Sequence, residues 1–102
     1  MYLIISSNGI EEREGIPTRD DIKEIIEDDL LEYVRQRFTD KNITLIGGDT
    51  GGNGIQYCKV GEETYTGKLV IVNQKSKFGY ALKHYSLTLK QITVVKKELT
   101  LL

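Results

Sequence analysis

Residues 18–38, TRDDIKEIIEDDLLEYVRQRF, constrain this chain more than any other stretch. Ile22, Ile26, Leu30, Tyr33 and Val34 recur at helical spacing and make one apolar stripe, flanked by Ile25 and Phe38. Thr18 stands where an N-cap belongs, with Asp21 three residues on, as in a capping box. Ile16 and Pro17 give a stiff apolar entry that Ile22 can meet as a staple. Asp20 and Asp21 suit the positive end of a helix dipole, and Arg35 and Arg37 the negative end. The spacing predicts one amphipathic helix over 18–38, whose stripe must be covered by later strands.

The opposite face of that helix would carry Asp21, Glu24, Asp28 and Glu32, with only Arg35 to relieve them. Glu24 with Asp28, and Asp28 with Glu32, are like charges four residues apart, each pair costing about 0.2–0.5 kcal/mol in a helix. A face selected for solubility alone more often mixes signs. Two readings stand: a solvated face, or an acidic ridge that docks a basic partner or imitates a phosphate backbone.

Charge is uneven along the rest of the chain as well. Residues 11–40 hold eleven acids and five bases, whereas residues 67–102 hold seven lysines and only Glu98. Such a molecule is an electric dipole that can steer a charged partner or stack with a second copy, a homodimer included. With 102 residues, one domain spanning 1–102 is expected. No apolar run reaches membrane-spanning length and no basic leader precedes the first strand-like segment, so a soluble, cytoplasmic protein is expected. A single cysteine, Cys58, fits a reducing compartment, and one His with one Cys excludes an ordinary four-ligand Cys/His zinc site within one chain.

Taken in order, residues 2–6 read as a buried strand and 7–17 as an acidic loop with a brief hairpin at Asn8-Gly9. After the helix, strands are expected at 43–46, 55–60 and 64–72. Residues 78–99 carry two signals. Phe78, Tyr80, Leu82 and His84 alternate, as do Tyr85, Leu87 and Leu89, which suggests strands broken near Lys90-Gln91. Leu82, Tyr85, Leu89, Ile92 and Leu99 also nearly fit a heptad, but the Ser, Thr and Val content favours strand. The predicted fold is α+β, in the order β-α-β-β-β-β: an antiparallel sheet of about five strands packed against one amphipathic helix.

Three surfaces are candidates for function. Residues 47–54 hold five glycines in eight positions, and such backbone can wrap an anion with its N–H groups. Gly48, Asp49, Thr50, Gly51, Gly52 and Asn53 are therefore candidate contacts for a phosphate or nucleotide. No Lys-Ser or Lys-Thr follows, and a strand rather than a helix is expected next, so neither a Walker loop nor a dinucleotide fingerprint is present. Asp49-Thr50-Gly51 spells the aspartic-protease tripeptide, but glycines precede it where that family has an apolar strand, and an early helix has no place in that all-β fold. Lys83, Tyr85 and Lys90 could form a basic aromatic sheet face for single-stranded nucleic acid. Against this, the pI is near 5.8 and every base in the segment is Lys rather than Arg. The third surface is the acidic ridge, with Asp21, Glu24, Asp28 and Glu32 as partner contacts.

Catalysis has little footing. His84 and Ser86 are too close along a strand to assemble a nucleophile and base, and Cys58 reads as a small buried hydrophobe. No cofactor or metal is expected. The expectation is a non-enzymatic protein acting on a protein partner as inhibitor or adaptor. In profile it is similar to small accessory proteins of phages and mobile elements. A small anionic ligand and nucleic acid are the alternatives.

Overall fold

The apolar run at the start of the chain forms strand β1 (Tyr2–Ser6), and Ser7 and Asn8 turn it back into β2 (Gly9–Arg13). Gly9 sits at φ 87°, a conformation that an L side chain adopts only with strain. The remaining elements are α1 (Arg19–Ile26), β3 (Leu31–Arg35), β4 (Ile43–Gly48), β5 (Gln56–Val60), β6 (Glu63–Thr66), β7 (Leu69–Ser76), β8 (Leu82–Tyr85), α2 (Leu89–Glu98) and β9 (Leu99–Leu101). This computed structural model describes residues 1–49, 54–76 and 82–102.

The strands build two antiparallel sheets. In the larger, the order is β2-β1-β7-β4-β3, and β8 also pairs with β7. β7 lies between β1 (Leu3 opposite Ile71) and β4 (Leu45 opposite Ile71), and its far end pairs with β8 (Asn73 opposite Tyr85). β8 and β1 follow one another along the same edge of β7, joined where the Leu87 N–H donates to the Met1 carbonyl at 2.8 Å. The smaller sheet runs β6-β5-β9.

Successive strand residues point to opposite faces, and both faces of the larger sheet are covered. One face carries Tyr2, Ile4, Ile46, Val70 and Val72, which bury Ile22 and Ile26 of α1. The other carries Leu3, Ile5, Ile43, Leu45, Leu69 and Ile71, packed on Cys58 and Val60 of β5 and on Ile92 and Val95 of α2. This is why β1, β4 and β7 read as nearly continuous apolar runs. Fully burying each such side chain contributes roughly 1.5–3 kcal/mol. The fold is α+β, an antiparallel sheet packed on α1, with a second small sheet and a second helix on its other face.

The single helix over 18–38 is corrected by the structure. The capping box at its start is present: the Asp21 N–H donates to Thr18 Oγ1 at 3.1 Å, and the Thr18 N–H to Asp21 Oδ2 at 2.9 Å. Ile16 remains 53% exposed, so the entry is closed by the buried Pro17 rather than by a staple. The helix ends at Ile26, with Glu27 in the left-handed region at φ 62°. Continuing it would have kept one strand fewer in the sheet. Instead residues 31–35 use their period-two pattern to pair with β4, from Leu31 opposite Gly48 to Arg35 opposite Thr44. Leu30, expected in the apolar stripe, is 61% exposed in the turn.

Residues 89–98 are helix where strand was expected. Thr88 caps α2, the Gln91 N–H donating to Thr88 Oγ1 at 3.1 Å and the Thr88 N–H to Gln91 Oε1 at 2.9 Å. Lys96 and Lys97 stand in its last turn, where the dipole favours cations. The expected strand at 64–72 is two strands, β6 and β7, separated where Gly67 turns at φ 81°.

Candidate functional site

The break after α1 redistributes the predicted acidic ridge. Asp21 and Glu24 lie on α1, Asp28 in the turn, and Glu32 on β3. Glu32 pairs with Gly47 and therefore faces the side of the sheet opposite α1. The four residues do not form one face. Asp21 is committed to Thr18, whose backbone N–H and then side chain hold its carboxyl below the ordinary value of 3.8. Asp28 shapes the turn: its Oδ1 accepts from the Leu30 N–H at 2.9 Å.

Another set of carboxylates does converge. Asp20, Glu24, Glu27, Asp28 and Asp29 surround an open concavity of about 450 Å³, with Lys23 the one base in its lining among the described residues. Glu27 has a loose ion pair with Lys68 at 3.7 Å. Glu27, Asp28 and Asp29 follow the C-terminal end of α1, where the helix dipole is negative and acids are disfavoured. Glu24 and Asp28, both expected as partner contacts, line this concavity. Asp20 and Glu27 were missed because a helix through 38 places them off the expected ridge, and Asp29 reads there as a residue at the margin of the apolar stripe, either paired with a sheet lysine or marking a partner surface. Among the described residues, no group of three His, Cys, Asp or Glu side chains is arranged to hold a metal ion.

On the opposite side of the larger sheet, a groove of about 350 Å³ separates β3 and β4 from β6. Its lining includes Glu32, Val34, Arg37, Gly47, Gly48, Asp49 and residues 63–66. Gly48 and Asp49, two of the predicted anion contacts, are thus at this groove; Thr50, Gly51, Gly52 and Asn53 lie outside the described residues. With Glu32, Asp49 and Glu63 against Arg37, the charge of the groove suits a cationic group better than a phosphate. The glycines have packing roles of their own. A Cβ at Gly47 would stand 3.0 Å from Leu69 Cδ2, and one at Gly48 2.5 Å from Asp28 Oδ2. The Tyr65 hydroxyl is buried and makes no hydrogen bond of normal geometry among the described residues; desolvation raises its pKa, and the charge and weak side-chain contact of nearby Arg37 partly offset this.

Lys83 and Tyr85 lie on β8, whereas Lys90 is on α2, so they do not form the single sheet face expected for nucleic acid. Lys75 Nζ stands 4.7 Å from the centre of the Tyr85 ring, occupying one face that a base would need. Phe78 and Tyr80 lie outside the described residues. Lys96 is paired with Glu12 at 3.0 Å.

His84 is half-buried, with its Nδ1 3.2 Å from the Pro17 carbonyl and its ring centre 6.0 Å from that of Tyr33. A carbonyl only accepts, so in this contact Nδ1 carries the proton. Cys58 is fully buried, and desolvation pushes its thiol up to about 11, the opposite of what a nucleophile requires. Among the described residues, no helix is long and apolar enough to cross a membrane. No family model, curated protein or solved structure matches this chain, so its own geometry carries the functional argument.

Proposed function

We propose that this protein acts by binding another macromolecule, a protein with a basic surface, as an inhibitor or adaptor, and that the concavity beside α1 makes the contact. The observation that carries this reading is the convergence of Asp20, Glu24, Glu27, Asp28 and Asp29 on one concave surface, with Lys23 in its lining and Lys68 in a loose pair with Glu27 as the bases near it among the described residues. Three of these acids follow the negative end of α1, an arrangement that helix stability disfavours and a cationic partner would reward. Asp20, Glu24 and Asp29 are exposed, and their charge acts at the surface where electrostatic complementarity sets on-rate and specificity.

The test is capture of the partner from lysate of the protein's own host, with cross-linking to locate the contact. Wild-type protein is expected to retain a partner in a salt-sensitive complex with cross-links on α1. The variant carrying Asp20→Lys, Glu24→Lys and Asp29→Lys is expected to lose it while keeping its circular dichroism spectrum. A partner retained equally by the folded triple variant would sink the reading.

A further inference from the structure

We infer that the free edge of β6 is a docking site for an extended peptide segment bearing a lysine or arginine, which would add a fourth strand to the smaller sheet. This site lies on the opposite side of the larger sheet from the acidic concavity and does not depend on it.

The argument begins with coverage. The smaller sheet has three strands in the order β6-β5-β9, laid over a larger sheet of six. Its cover stops at β6. Beyond that strand the inner face of β3 and β4 continues as the groove, where Val34 is half-buried and Glu32 exposed. One more strand beside β6 would lie over this floor. Gly47 leaves the floor low, since it presents no side chain towards Leu69.

The edge itself is built to accept a strand. β6 pairs with β5 with Glu63 opposite Val60 and Tyr65 opposite Cys58; the register shifts in β5 between Cys58 and Gln56, and beyond it the Gly67 N–H donates to the Ile55 carbonyl at 2.7 Å, so the same side of β6 still faces β5. Glu63 and Val60 close a two-residue turn, and antiparallel pairs alternate in their hydrogen bonding. Glu63, Tyr65 and Gly67 therefore direct their backbone groups to β5, while Thr64 and Thr66 direct theirs away from it. Among the described residues, no strand pairs with that side of β6. The strand sequence, ETYT, has none of the lysines or prolines that usually block an edge.

Charge selects the occupant. Inward-pointing side chains of an added strand would meet Glu32, Asp49 and Glu63, with Arg37 as the one opposing base among the described residues. A basic side chain flanked by small apolar ones fits this lining, and an acidic one is repelled. Main-chain pairing supplies affinity and alternate side chains supply selection, as in other strand additions.

The probe is the blocked peptide Thr-Val-Thr-Lys-Thr-Val-Thr, titrated into 15N-labelled protein. Three controls accompany it: a copy with Glu for Lys, a copy N-methylated at alternate residues, and the free protein in hydrogen exchange. In the free protein, the Thr64 and Thr66 amides are expected to exchange much faster than that of Tyr65. With peptide, the Thr64 and Thr66 signals should shift and become protected. The Glu copy should bind at least about tenfold weaker, as expected for one unfavourable charge pairing, and the methylated copy should not bind. Thr64→Pro should abolish binding with the fold retained, because the N–H it removes is not used by β5. Should that variant unfold, Glu63→Lys serves the same purpose by weakening the lysine peptide. Thr64 and Thr66 amides already as protected as Tyr65, no binding at millimolar peptide, shifts confined to α1, or equal binding of the Glu and Lys copies would each overturn the proposal.

Discussion

A Cβ on Gly48 would stand 2.5 Å from Oδ2 and 3.0 Å from Cβ of Asp28, so the turn that ends α1 rests directly on the last residue of β4. The turn is tied down on both sides of this contact. Asp28 Oδ1 accepts from the Leu30 N–H at 2.9 Å, and the Asp49 N–H donates to the Leu30 carbonyl, also at 2.9 Å. Gly48→Ala should therefore destabilise the protein by about 1–3 kcal/mol, the usual cost of overpacking. Asp28→Ala alone should cost about 1 kcal/mol through the lost hydrogen bond. The double variant should be less destabilised than the two changes added together, because removing the carboxylate makes room for the methyl. Urea denaturation of the four proteins measures the coupling, and additive values would exclude the contact as the cause.

Cys58 predicts an alkaline loss of stability. Its thiol has an ordinary value of 9.0 and is pushed up to about 11 by burial. Between those values the folded chain keeps a proton that the unfolded chain releases, so stability falls as pH rises through this window. Cys58→Ala should be less stable at neutral pH because it leaves a small cavity. Its stability curve should run parallel to wild type below pH 9 and converge with it on going towards 11. The native thiol should also resist disulfide reagents until the protein unfolds.

The two caps are expected to be of similar weight. Thr18→Ala and Thr88→Ala should each cost about 1 kcal/mol in thermal or urea melts. In NMR titration Asp21 should protonate below 3.8, because hydrogen bonds from Thr18 favour its charged form. Its stabilising contribution is present above 3.8 and is lost as pH falls through the lower folded value. In Thr18→Ala the midpoint should move only part of the way back up, because alanine keeps the backbone N–H that donates to Asp21.

Tyr65→Phe should leave stability unchanged or raise it by up to about 1 kcal/mol, since it removes a buried hydroxyl that makes no hydrogen bond of normal geometry among the described residues. A loss greater than that would show that the hydroxyl is bonded in solution, with Arg37 the first group to examine.

Charge reversal at Asp20, Glu24 and Asp29 should change stability by less than about 1 kcal/mol. Asp29 follows the negative end of α1, where a lysine is favoured, whereas Asp20 stands in the first turn, where the dipole favours the acid, so the two changes oppose each other. The triple lysine variant should therefore melt close to wild type at low salt, where these terms are least screened. A fall of several degrees would assign the acids a structural role instead.

Some of the site was readable in advance. Thr18 and Asp21 announce the start of α1, and Glu24 and Asp28 stand out as acids of the expected partner surface. The same residues hid where α1 stops. Ile22, Ile26, Leu30, Tyr33 and Val34 satisfy a helical period, while Leu31, Tyr33 and Arg35 satisfy a strand period over the same ground. At the other end, Thr88 and Gln91 spelled a capping box within a segment whose Ile, Thr and Val content favours strand. That cap was the local signal for α2.

Elements whose signals are local can be read from the chain: the capping box at Thr18, the apolar runs of β1, β4 and β7, the turn at Asn8, and the α+β class. These depend on backbone geometry and hydrophobic pattern within a few residues. Tertiary structure decided the rest. β3 exists because residues 31–35 gain a ladder with β4, which an isolated segment cannot know. Asp28 became a turn residue because the glycine beneath it, Gly48, is twenty positions away in sequence. Glu32 went to the opposite side of the sheet because a strand alternates its side chains where a helix would have kept them together. The acidic concavity and the open edge of β6 both follow from those long-range pairings, whose energies come from partners distant in the chain.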